Sequence, residues 1–326
     1  MSLNLRELST HGEGLAPGHR ACAGCGFPTI IRLLLTAARQ PLVVVNATGC
    51  MEVVTTIYPY SAWPVPYLHS AFENAAATAS GVEAAVRALT RRGRLDAPPK
   101  IVAIGGDGGT YDIGLQSLSG ALERGHDFLY ICYNNEGYMN TGIQRSSATP
   151  PGARTTTSPA GKVIPGKPEM RKDLTEIVAA HNIPYAAQAS ISHWGDLAKK
   201  ITKGLAVTGP SFLNVLAPCQ PGWDYPMNLT VEVAQVAVYT HYWPLYEVEG
   251  GRWRITVRPA RVRPVADWLE MQGRFKHLAR APEQAERLQA WVDANWISLQ
   301  AKVAATGSPA PHQAAHPAAQ STQAGS

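Results

Sequence analysis

The chain has 326 residues, 45% of them hydrophobic, with a formal net charge of +5. It can bury a core in one large or two modest domains, and charge spread this thinly, with no Lys/Arg block, gives little basis for nucleic-acid binding while still suiting an acidic protein partner. No apolar run nears the roughly 20 residues of a membrane span, and "MSLNLRELSTHGEG" lacks a basic-then-apolar leader, so a cytoplasmic location is expected.

The first chemistry-bearing stretch is "HRACAGCGFP", which holds Cys22 and Cys25 as C-x-x-C. Five cysteines, an odd number in a long chain, point to metal or redox chemistry rather than a disulfide framework. "PLVVVN" (Pro41–Asn46) is the first of four short β-rich runs and is followed by "ATGC" (Ala47–Cys50). A helical pattern covers Phe72–Gly93. The second strand, "KIVAIG" (Lys100–Gly105), runs into Gly106-Asp107-Gly108-Gly109, and a second helix, Asp112–Gly125, closes on a glycine. The third strand, "DFLYICYN" (Asp127–Asn134), delivers Asn135-Glu136-Gly137; Cys132 inside it reads as a small core residue. Asn140–Asp173, rich in Pro, Gly, Ser and Thr, is too long for an ordinary connection and is expected to be functional or to form an interface. Leu174–Ile183 and His193–Gly209 read as helices. "SFLNVLAP" (Ser211–Pro218) is the fourth strand and leads to Cys219, and Leu245–Val257 reads as a hairpin turning at Gly250-Gly251. A helix over Pro282–Ala305 precedes an Ala/Gln/Pro/Ser tail, Thr306–Ser326, expected to be disordered.

Strands separated by helices predict a doubly wound, mostly parallel α/β sheet with right-handed crossovers and a C-terminal hairpin and helix extension. The expected division is 1–225 for the binding domain, 226–305 for an extension of it making subunit contacts, and 306–326 for the tail. Ligands of such sheets sit beyond the carboxyl ends of the strands. Here all four strands end in chemistry-capable residues, so one site along one sheet edge is expected.

A lone Gly-Asp-Gly is usually only a turn. This one ends a strand, a helix follows, and the next strand brings Asn135 to the neighbouring strand end. A carboxylate, an amide oxygen and a backbone carbonyl are hard ligands suited to Mg²⁺ shared with phosphate, and glycine N–H groups with a helix start near Asp112 suit a diphosphate. No Gly-Lys-Ser/Thr follows and Gly-x-Gly-x-x-Gly is absent, which excludes a Walker loop and disfavours a dinucleotide site. Cys22, Cys25, Cys50 and Cys219 brought to the same edge suit Zn²⁺ or a [4Fe–4S] cluster, and the residues alone leave both open. A thioredoxin-like dithiol leaves Cys50 and Cys219 unexplained.

"ACAGCG", "NATGCMEV", "GDGGTYDIG", "NNEGYMNTGIQRSSATPPGA" and "LAPCQPGW", in this order from about Gly14 to Asp224 and extended by "QGRFKHL" (Gln272–Leu278), resemble the β subunits of pyruvate:ferredoxin oxidoreductase and its 2-oxoacid relatives. That resemblance implies the thiamine-diphosphate-binding fold. It assigns Mg²⁺ to Asp107, Asn135 and the main-chain carbonyl of Gly137, and places Gly108 and Gly109 against the diphosphate. Thr48, Gly106, Tyr138 and Thr141 fall around the cofactor, Asn140 beside the reacting group, and a [4Fe–4S] cluster on Cys22, Cys25, Cys50 and Cys219. The implied reaction is oxidative decarboxylation of pyruvate with CoA to acetyl-CoA and CO₂, with electrons passed to ferredoxin. An α subunit would complete the thiamine site, and γ and ferredoxin-like δ subunits would complete the complex. Three alternatives stand beside it: another 2-oxo acid, branched-chain or aromatic; a non-oxidative thiamine-dependent lyase with structural zinc; and a non-catalytic scaffold or electron-transfer subunit. Phe27 stands where some relatives carry a polar residue. Arg20 is a candidate contact of the diphosphate or cluster, and His11, His19 and His69 read as solvated or interface histidines.

Overall fold

A computed structural model describes residues 10 and 14–307. His11 and residues 308–326 of the expected tail lie outside the described residues. Eight strands form one sheet: β1 (Leu42–Ala47), β2 (Tyr67–Ser70), β3 (Lys100–Gly106), β4 (Phe128–Asn134), β5 (Tyr185–Ser190), β6 (Ser211–Leu216), β7 (Tyr246–Glu249) and β8 (Arg252–Ile255). Their order is β2-β1-β3-β4-β6-β5-β7-β8. The first six are parallel, and the β7–β8 hairpin adds to β5 antiparallel, turning at Gly250-Gly251 as expected.

Alternate strand residues enter opposite layers, as the pleat requires. Val44, Val102, Ile104, Leu129 and Ile131 face one cluster with α1 (Phe27–Ala37) and α6 (Trp194–Ala206), whose Ile31, Leu34, Leu197 and Ile201 recur on one face of each helix. Val45, Ile101, Ala103, Phe128 and Tyr130 face the other, against α3 (Ala75–Arg91), α4 (Leu115–Glu123) and α5 (Leu174–Ala179). Burying each such side chain contributes roughly 1.5–3 kcal/mol. The short helices α2 (Cys50–Thr55) and α7 (Gln220–Trp223) follow strand ends. A third apolar cluster joins α7 to α8 (Thr230–Tyr239), α9 (Val265–Glu270) and α10 (Pro282–Gly307). Among the described residues no helix is long and apolar enough to cross a membrane.

Two strands escape the sequence pattern. β2, "YLHS", is a short edge strand with two exposed residues, and β5, "YAAQAS", is Ala-rich and strand-forming only because both its faces are buried. The second helix also starts earlier than Asp112. A π-helical turn over Gly108–Ile113 precedes α4, its wide coil carrying the Gly109 carbonyl to within 2.2 Å of where a Cβ on Gly114 would lie. The helical N-terminus therefore sits at the double glycine itself. The loop between β4 and α5 holds no helix or strand, yet Ser146 and Ala148–Ala153 are buried in it. Lys167, itself buried, donates to the carbonyls of Thr149 (2.7 Å) and Glu169 (3.1 Å) and so gives the loop an internal anchor.

Candidate active site

β1, β3, β4 and β6 are consecutive in the sheet and parallel, so their carboxyl ends meet along one edge. The chain leaves β1 toward β2 on one side and β3 toward β4 on the other, which makes this edge the topological switch point. A cavity of about 230 Å³ opens there. Thr48, Gly106, Gly108, Gly109, Asn135, Gly137, Tyr138, Asn140 and Thr141 all line it. Asp107 lies beneath, with no exposed surface.

Burial pushes the Asp107 carboxyl up to about 7, against the pull of hydrogen bonds that favour its charged form, chiefly those from Ser146 and Asn135. Ser146 Oγ donates to Oδ2 at 2.5 Å, and the Asn135 N–H donates to Oδ1 at 3.1 Å. The Asn135 amide then faces Asp107 Oδ1 and Gly137 O, each at 2.9 Å. With its nitrogen inward it donates to both.

The turn that presents these groups is clamped from behind. Glu136 takes a left-handed φ of 62°, unusual for a residue with a side chain. Its buried carboxylate accepts from Arg274 Nη2 (2.5 Å) and Tyr242 Oη (2.5 Å), and its carbonyl accepts from Thr149 Oγ1 (2.7 Å). Trp223 Nε1 donates to the Asn135 carbonyl at 2.7 Å, and the Arg274 guanidinium lies 3.9 Å over the Trp223 ring. On the glycine side, Tyr138 Oη lies within hydrogen-bond reach of Gly108 O (3.1 Å) and Asp112 Oδ2 (3.2 Å), the latter carboxylate also held by Ser147 and Lys172. Thr48 Oγ1 is 2.7 Å from His69 Nε2.

Cys22, Cys25, Cys50 and Cys219 line a second cavity, of about 310 Å³. Cys22 is exposed and the other three half-buried. Burial, reinforced by the neighbouring thiols, pushes Cys25 and Cys50 up to about 12 and Cys219 to about 11, so a metal centre must displace protons to bind. Among the described residues no three His, Cys, Asp or Glu side chains converge closely enough to hold one metal ion. Cys132 is fully buried within β4, as expected of a core residue. Phe27 lies against Tyr133 at a ring separation of 5.8 Å and lines the cysteine cavity. The two cavities share Cys50, Tyr133, Asn135, Met139 and Asn140 as common lining.

Arg20 and His19 line neither. They lie with Tyr60 on a separate cavity of about 350 Å³, and the Arg20 N–H donates to the Val54 carbonyl at 2.9 Å. Sequence reasoning missed Ser146, Glu136, Tyr133, Met139 and Trp223. Arg274 lies within the stretch Gln272–Leu278 that the motifs include, but nothing in its spacing names the carboxylate it meets.

Comparisons with known proteins extend over most of the chain. Residues 47–215 match the thiamine pyrophosphate enzyme family, C-terminal TPP-binding domain. The chain is 56% identical over 283 residues to pyruvate synthase subunit PorB of Methanocaldococcus jannaschii, a match covering 86% of this chain and 94% of that protein. It is 44% identical over 289 residues to ketoisovalerate oxidoreductase subunit VorB of Pyrococcus abyssi, covering 88% and 92%. Among solved structures, the 2-oxoglutarate:ferredoxin oxidoreductase of Magnetococcus marinus superposes with a TM-score of 0.50 at 19% identity, covering 68% of this chain and 77% of that one, and so shares the fold.

Proposed function

The chain belongs to the family of pyruvate synthase PorB subunits, and from that premise we propose that it forms the thiamine-diphosphate and cluster half of a pyruvate:ferredoxin oxidoreductase. The reaction is decarboxylation of pyruvate with CoA to acetyl-CoA and CO₂, with two electrons leaving through a [4Fe–4S] cluster to ferredoxin. The observation that carries this reading is the common wall: a phosphate-type cradle and a four-cysteine cavity are separated by a single layer of side chains.

The residues fit the groups assigned to them. The Asp107 carboxylate, the Gly137 carbonyl and the Asn135 amide lie together in one turn, and turning that amide over would add its oxygen to theirs, a hard-oxygen set of the kind Mg²⁺ takes. Asp107, the Asn135 side chain and the Gly137 carbonyl would hold that ion. The N–H groups of Gly108 and Gly109 would face the diphosphate, at the positive end of the helix they begin. Four thiols lining one hollow could hold zinc or a multi-iron cluster, and the cluster is the one that can carry single electrons away from the oxidised intermediate, since zinc has no redox chemistry. Bound at the cradle, thiamine diphosphate supplies the electron sink that loss of CO₂ from a 2-oxo acid requires. Asn140, exposed on the lip common to both cavities, would hydrogen-bond the reacting group, and the buried Asp107 would keep its carboxylate on the cation. Thr48, Gly106, Tyr138 and Thr141 would shape the remaining contacts.

The cradle of about 230 Å³ falls short of the roughly 300–1,000 Å³ typical of a cofactor site. That shortfall supports an α subunit as its missing wall, with γ and δ subunits completing the path to ferredoxin. The VorB relative supports a second reading, in which the same machinery acts on a branched-chain 2-oxo acid.

Low-temperature EPR of the anaerobically purified complex, before and after pyruvate and CoA, decides between them. A reduced-cluster or radical signal that needs pyruvate is the expected result. A signal with 2-oxoisovalerate but not pyruvate moves the chain to the second reading. No signal even with dithionite removes the cluster.

A further inference from the structure

The wall between the two cavities contains one long flexible side chain, Met139. Two glycines far apart in sequence leave room for it. A Cβ on Gly137, in the turn after Asn135, would lie 2.9 Å from Met139 Cε. A Cβ on Gly222, in the helix after Cys219, would lie 2.3 Å from its sulfur and 2.9 Å from its Cε. The thioether therefore wedges between the turn assigned to the cation and the segment carrying Cys219. Three rotatable bonds and a soft sulfur let methionine fill such an irregular gap. Its truncation here would leave a passage rather than a sealed void, because a hollow lies on each side.

We propose that Met139 is the septum of this site: an apolar plug, seated between Gly137 and Gly222, that stops small solutes in the thiamine pocket from reaching the cysteine-held group. What fills each cavity rests on the function proposed above; the plug itself is a property of this chain. It is a positioning residue, acting by occupying the wall.

The test uses the anaerobic complex with its partner subunits and 2,2′-bipyridine, a small iron(II) chelator, added with dithionite; iron loss is followed by absorbance with and without saturating thiamine diphosphate and Mg²⁺. Met139→Leu, nearly volume-conserving, should lose iron at the wild-type rate. Met139→Ala should lose it about five-fold faster or more, since truncation leaves a cavity, and filling the thiamine pocket should return the rate to that of wild type. General loosening of the fold would not be reversed by the cofactor. An unchanged rate in Met139→Ala, or an acceleration indifferent to thiamine diphosphate, overturns the septum; the second places entry at the exposed Cys22. A complex holding no more iron than its ferredoxin-like δ subunit accounts for refutes the cluster instead, and the septum is then decided by iodoacetamide labelling of Cys25 and Cys219, which line the cysteine cavity alone. Labelling that rises in Met139→Ala and is suppressed by thiamine diphosphate supports it, and labelling that stays at the wild-type level overturns it.

Discussion

Asp107 shows what one buried carboxyl imposes. Its folded pKa of about 7 stands above its ordinary value of 3.8, chiefly through burial. The carboxyl therefore resists ionisation in the folded chain. Its contribution to stability is fully present below about pH 4 and is lost as pH rises to about 7. In the cation-free protein, Asp107→Asn should flatten this part of the stability–pH profile measured by thermal unfolding between pH 4 and 8, and an unchanged profile would show the carboxyl is not buried in this way. Ser146 orients the same carboxylate through a 2.5 Å hydrogen bond. Groups that orient a metal ligand typically govern 10–100-fold in metal affinity, so Ser146→Ala should weaken Mg²⁺-dependent thiamine diphosphate binding by about that factor in calorimetry. Wild-type affinity in this variant would leave Ser146 a packing residue. The hydroxyl was not legible in the sequence: "RSSATPPG" reads as loop chemistry, and only the folded path of the loop carries Ser146 under Asp107.

Among the elements, the 3₁₀ segment Gly273–Arg280 and the turn after β4 are joined by a buried ion pair across a long separation in sequence. Arg274 is 2% exposed and Glu136 is 0%. Removing one partner of such a pair leaves an uncompensated charge, at a cost of about 3–5 kcal/mol. Arg274→Met should lower the unfolding midpoint of the complex sharply, and Glu136→Gln in the same chain should restore much of the loss. If the double variant is as unstable as the single one, packing of Arg274 on Trp223 rather than charge is what matters. Helices α3 and α6 and the hairpin follow from periodicity and turn residues. β5 does not, because alanines carry no strand signal of their own, and the π-turn at Gly108 does not, because an early wide helical start depends on which neighbours crowd it.

For the whole molecule, the open cradle sets the expectation that half a site binds poorly. The chain purified without partners should bind thiamine diphosphate at least about ten-fold more weakly than the complex and should not oxidise pyruvate, because its cradle is open on the side the proposed α subunit would cover. Catalysis by the isolated chain would refute the shared site. The sequence by itself determined the parallel α/β class and the strand ends that carry Asp107, Asn135, Cys50 and Cys219, because these are local: a buried strand, its terminating glycines and the spacing of one βαβ unit. Only the tertiary structure decided that Ser146, Glu136, Arg274 and Trp223 brace Asp107 and the turn after β4, that Arg20 stands apart, and that Met139 is among five residues lining both cavities. Those contacts join residues whose separation along the chain carries no periodicity, so no pattern within a segment encodes them; they exist once packing brings the segments together.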